Sequence, residues 1–138
     1  MKTEELYSTM WTSVRNRFTE KAQAIEEVDL QKKLGETSIA DLLYHTGQVE
    51  YLFADWYFGQ AAEELPKPSL TNKAELLSFL EASNAFLLKA MAALPEEKWT
   101  EVVSSKMGDS TPAEVVGRLI YHAGIHSGQI TDIQKYGA

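Results

Sequence analysis

The chain is 138 residues long, 44% hydrophobic and 24% charged, with a formal net charge of −7; that bounds it to one domain, residues 1–138, able to bury a single core without disulfide or metal staples. Acidity argues against nucleic acid as a partner, because a binder needs a basic face to displace counterions from phosphates, and the absence of cysteine removes disulfides, thiolate metal ligands and any catalytic thiol of the protein's own. The opening MKTEELYSTMW carries acids and no apolar centre, and no apolar run approaches the roughly 18 residues of a membrane helix, so a cytoplasmic protein with no membrane partner is expected.

From Thr3 to about Val28 the residues Leu6, Met10, Val14, Phe18, Ile25 and Val28 recur at three-, four- and seven-residue steps, the stripe of an amphipathic helix. Arg15, Arg17, Glu20, Lys21 and Glu26 fall on its other side and read as a solvated face. Asp29–Thr37, with Gly35, is a connection. Ser38 and Asp41 form a capping box that opens a second helix running to about Phe58, before Gly59. Its second half, Tyr51, Leu52, Phe53, Trp56, Tyr57 and Phe58, is apolar around most of its circumference. That suits either a central helix buried on several sides or a pocket wall or subunit interface.

Pro66 and Pro68 keep Gly59–Leu70 out of helix. A third helix is predicted from Lys73 to Leu94, opened by a second capping box of Asn72 and Glu75. Leu76, Leu80, Leu87, Met91 and Leu94 form its core stripe, flanked by Phe79 and Phe86. Pro95 stops it, and PEEKW adds one short turn carrying Trp99. Glu101–Ser110 reads as loop or a short extended piece. Thr111 as N-cap, Pro112 at N1 and Glu114 at N3 then open a fourth helix that runs to about Lys135 and ends at Gly137. Gly117, Gly124 and Gly128, in line with Ala113, make a strip on it where another backbone or a ligand can come close. No strand pair is convincing, and the expected fold class is all-α, a four-helix bundle.

The chain contains three histidines. His122 and His126, in LIYHAGIHSGQI, are four residues apart, which on a helix puts both imidazoles on one face. His45, in SIADLLYHTGQVEYL, lies on the second helix. If the two helices pack face to face, three imidazoles converge in a His₃ divalent-metal site with an open coordination position, the arrangement of a catalytic rather than a structural metal. Asp41, Gln48, Val49, Leu52 and Trp56 share the face of His45; Arg118, Leu119, Gln129, Ile130 and Ile133 share that of the helical pair. Three neutral imidazoles leave the ion its full charge, favouring hydroxide, carboxylate or thiolate as the fourth ligand. A hydrolase wants a carboxylate base beside bound water, and Asp41 is the only acid on either face unless Glu50 or Glu114 turns inward.

SIADLLYH in the second helix and HAGIHSGQI in the fourth, with the order and spacing of all four helices, resemble the DinB-like (YfiT-like) superfamily of small bacterial four-helix-bundle proteins over essentially the whole chain. The resemblance implies metal-ligand roles for His45, His122 and His126, with zinc or nickel as the ion and Gln129 supporting a ligand from behind. Many members carry arginine where this chain has Ser127. Relatives include transferases that use low-molecular-weight thiols such as bacillithiol or mycothiol, and a mycothiol-dependent isomerase. The implied function is therefore a metal-dependent thiol S-transferase with a small thiol and an electrophile as substrates. The alternatives are a non-catalytic metal- or ligand-binding protein of the same fold, or a metal-dependent hydrolase. Relatives of this kind are often homodimers, for which the aromatic end of the second helix and the glycine strip are the candidate patches.

Overall fold

A computed structural model describes residues 2–138. Four helices form an all-α bundle: α1 Thr3–Ala24, α2 Ile39–Phe58, α3 Lys73–Ala93 and α4 Pro112–Tyr136. Their starts follow local chemistry. The Ser38 hydroxyl accepts from the Asp41 N–H while the Asp41 carboxylate accepts from the Ser38 N–H, and Thr111 and Glu114 do the same at α4. Each box satisfies two of the orphan donors of a first helical turn. At α3 the exchange is one-sided. Asn72 accepts from the Glu75 N–H, but the Glu75 carboxylate turns to the Ser69 N–H instead. The short turn after Pro95 is a 3₁₀ helix, Glu96–Thr100, that buries Trp99 completely.

The first helix departs from the expected stripe. It ends at Ala24, Ile25 turns extended into the core, and Val28 is 82% exposed. Leu6 and Met10 also face outward, and the buried face is Trp11, Arg15, Phe18 and Ala22. Arg15 is no solvated charge. Its Nε and Nη2 donate to the two carboxylate oxygens of Glu50 at 2.7 and 3.1 Å, and both side chains are 1% exposed. The Ser83 hydroxyl donates to the same carboxylate and the Leu80 carbonyl accepts from Arg15. One pair thereby ties α1, α2 and α3 together. Burial pushes the Glu50 carboxyl above its ordinary range, while Arg15 and Ser83 pull it back.

α2 is the central helix, packed against α3 and α4, with Tyr51, Phe53, Tyr57 and Phe58 buried. Its aromatic end is buried in the bundle, and Trp56, Tyr57 and Phe58 also line a cavity of about 360 Å³. α3 is long and apolar enough to cross a bilayer by length and composition, beyond what the sequence reading allowed. Leu76, Leu80, Leu87 and Met91 instead fill the bundle core.

Two short strands, β1 Lys33–Leu34 and β2 Thr37–Ser38, pair as a hairpin that the sequence did not reveal. The end of the chain adds to it, because the Ala138 N–H donates to the Lys33 carbonyl and the Lys33 N–H to Ala138. Gly137, read from sequence as a helix terminator, has an ordinary backbone at φ −80. What it provides is clearance, since a Cβ there would stand 2.6 Å from the Ile133 carbonyl oxygen and 2.7 Å from that of Lys33.

The glycine strip of α4 meets no neighbour: a Cβ on Gly117, Gly124 or Gly128 would lie in open space. The close approach is at Gly47, where a Cβ would sit 2.4 Å from the Phe79 ring. Gly47→Ala is therefore expected to lower stability by about 1–3 kcal/mol through overpacking. Gly124→Ala should raise it by about 0.5–1 kcal/mol by improving helix propensity. Urea denaturation of the two variants checks both signs.

Candidate metal centre

α2 and α4 bring His45, His122 and His126 to one point. A ring nitrogen from each lies within 4.8 Å of the others. Ring centroids are 5.0 Å apart for His45 and His122, 5.2 Å for His45 and His126, and 4.2 Å for the helical pair. The Nε2 atoms of His122 and His126 face each other at 2.9 Å, about the separation of two nitrogens each roughly 2 Å from a shared ion. His126 Nδ1 lies 2.6 Å from Gln129 Oε1. An amide oxygen only accepts, so Nδ1 carries the proton and Nε2 presents its lone pair to the centre. The contact sets the Gln129 amide, the residue singled out by the resemblance, against the His126 ring.

The electrostatics favour the neutral form of His122 and His126. Burial lowers the pKa of His122 from 6.5 to about 4, helped by the neighbouring charges of His126 and His45. Burial also lowers that of His126, against the pull of Gln129. Neutral imidazole is the form that binds a cation. The unfolded chain binds a proton at position 122 below pH 6.5, and the folded metal-free chain does not until about pH 4. Stability should therefore fall as pH drops through that window. His122 is half-buried, so after allowance for solvent screening the loss is about 1–2 kcal/mol. Chelator-treated protein melted across that range, with His122→Ala as the reference lacking this slope, measures it.

A cavity of about 530 Å³ opens beside the cluster, lined by His45, His126 and Gln129 together with Leu34 and Thr37 of the hairpin, Asp41 and Leu42 of α2, and Asp132 and Ile133 of α4. It sits at the amino-terminal end of α2, away from the aromatic half, so Leu52 and Trp56 do not line it. The hairpin contribution was invisible in the sequence. So was Asp132, three residues beyond Gln129 and on the rim of the same helical face, which corrects the expectation that Asp41 is the only acid available. Glu50 does turn inward, but to Arg15, and Glu114 stays in its capping box.

Arg118 shares the histidine face yet is fully engaged elsewhere. It donates to the Tyr57 hydroxyl, the Ser110 hydroxyl and the Met107 carbonyl, and lies over the Phe53 and Tyr57 rings. It pins the Glu101–Ser110 loop. Ser127 lies on the α1 side with Val14 and Phe18 and is not among the residues lining the cavity.

Residues 10–130 of this four-helix bundle match the model of the DinB superfamily. The chain belongs to the DinB superfamily, whose members generally bind metal. A solved structure of the same fold is the conserved protein of a locus from Enterococcus faecalis, with a TM-score of 0.67 and 19% identity over 98% of this chain and 96% of that one. No curated protein matches.

Proposed function

We propose that the protein is a cytoplasmic transferase that activates a low-molecular-weight thiol on a zinc or nickel ion held by His45, His122 and His126. The observation that carries this reading is the three-nitrogen cluster opening onto a cavity of about 530 Å³ in a chain with no cysteine. Bound there, a divalent ion supplies the acidity that makes a thiol nucleophilic at neutral pH. Two neutral imidazoles from one helical turn and a third from α2 provide a donor set suited to zinc, nickel or cobalt. Gln129 holds the His126 ring by Nδ1, which would leave Nε2 free to bind the ion. Leu34, Leu42 and Ile133 give an electrophile an apolar wall to lie against.

The test is incubation of the metal-loaded protein with bacillithiol and related thiols plus model electrophiles, against a His45→Ala control. Thiol-dependent conjugation lost in the control supports the reading. Tight metal binding without turnover moves the protein to a non-catalytic binder of the same fold. Asp132, a carboxylate in the cavity, favours hydrolysis as a second reading, and ester or amide cleavage in thiol-free buffer would establish it. A homodimer remains part of the proposal on the exposed strip of Gly117, Gly124 and Gly128 beside Tyr121; a monomer mass by light scattering at tens of micromolar would remove it.

A further inference from the structure

We propose that Gly137 is a positioning residue for the cavity beside the histidines. The two residues that follow α4 form a strap that holds the hairpin wall, and with it Leu34, against a ligand on the ion. The inference rests on the metal centre of the reading above, not on its thiol, and assigns what places the apolar wall of the cavity.

The hairpin is too small to hold a wall by itself. β1 and β2 contribute two residue pairs, Lys33 with Ser38 and Leu34 with Thr37, and an isolated two-stranded hairpin is marginal in water even when longer. Burial adds little, since Lys33 and Thr37 are exposed and Leu34 is 50% exposed. The outer edge of β1 is held instead by backbone pairing. Lys33 and Ala138 exchange both N–H···O bonds, at 3.2 and 3.1 Å, as a hydrogen-bonded antiparallel pair does.

Gly137 joins this third strand to α4. Its N–H donates to the Ile133 carbonyl at 2.8 Å, and Ile133 and Leu34 both line the cavity. The strap therefore ties one wall of the cavity to the other across two residues, and glycine is what makes the crossing possible. A Cβ at 137 would stand 2.6 Å from the Ile133 oxygen and 2.7 Å from that of Lys33, both backbone atoms that cannot rotate away. The φ of −80 suits any residue. A side chain at 137 thus acts through contact alone: it pushes the strap off β1 and frees the hairpin.

The experiment uses the full chain. Hydrogen exchange by NMR reads the strap directly in metal-free protein, because the Lys33 N–H has the Ala138 carbonyl as its acceptor. Gly137→Val is expected to speed Lys33 exchange about tenfold or more while the interior of α2 is unchanged. Co²⁺-loaded protein then reads the cavity. Imidazole and 4-phenylimidazole carry the same donor atom, and the ligand-field bands give both affinities without turnover. Gly137→Val should lower the preference for 4-phenylimidazole about fivefold, the worth of roughly 40 Å² of apolar contact. Leu34→Ser, which removes the wall side chain and leaves the strap, should do the same, and the two together no more than either alone. Ala138→Pro, which removes the donor to Lys33 and keeps Gly137, should repeat the effect of Gly137→Val. Gly124→Ala, whose Cβ lies in open space, should change neither reading. Unchanged Lys33 exchange, an unchanged preference in both strap variants, or effects of Gly137→Val and Leu34→Ser that sum would overturn the role of Gly137 and leave the metal centre standing. Bands that neither imidazole shifts in any of these proteins would overturn the open metal position, and the inference with it.

Discussion

Alanine at both His122 and His126 is expected to abolish divalent-metal loading, from about one zinc or nickel ion per chain to background. Removing a group that merely orients a metal-bound histidine typically weakens affinity about 10–100-fold, and this variant removes two ligands outright. Gln129→Ala, which takes away the 2.6 Å support of His126, should fall between, about 10–100-fold weaker with the site otherwise intact. The histidines are exposed or half-buried at the edge of the bundle, so the helical content of both variants should stay that of the wild type by circular dichroism. Elemental analysis after chelation and reloading gives the stoichiometry. Undiminished loading of the double variant would mean that the metal, if any, sits elsewhere.

The largest effect on folding is expected from the Arg15–Glu50 pair. Arg15→Met leaves a carboxylate in the core with only the Ser83 hydroxyl, and Glu50→Leu leaves a guanidinium there. Each single change should cost about 3–5 kcal/mol, because an uncompensated buried charge remains. The double variant should recover most of that loss, or exceed the wild type, since two apolar side chains need no pairing. Urea midpoints of the four proteins form a complete cycle. Losses that simply add in the double variant would show that the two side chains act independently, contrary to their shared geometry.

That pair also shows where sequence reading reaches its limit. The helix starts at Ser38 and Thr111 were legible because capping is written in three or four consecutive residues, and the structure puts both caps at those positions. The convergence of the histidines was legible because a rare residue occurs at a helical spacing. Arg15 was not, because a charged residue buried against a partner 35 positions away looks, locally, like any solvated one. Once it is inside, the core face of α1 turns toward Trp11 and Phe18, and Leu6 and Met10 are left outside. The hairpin escaped notice because strands of two residues each are too short to alternate visibly. Gly47 shows the same limit from the other side: its need for clearance comes from Phe79, on another helix.

The pairing of Ala138 with Lys33 carries a practical consequence for handling the protein. The hairpin that walls the cavity through Leu34 and Thr37 is held at its outer edge by the residues that follow α4. A polyhistidine purification tag joined directly after Ala138 would pull on that edge and place mobile imidazoles a short reach from the triad, where they compete for the same ion. Metal stoichiometry measured on such a fusion would report the tag as much as the protein. An amino-terminal tag, removed by protease before metal analysis, avoids both problems.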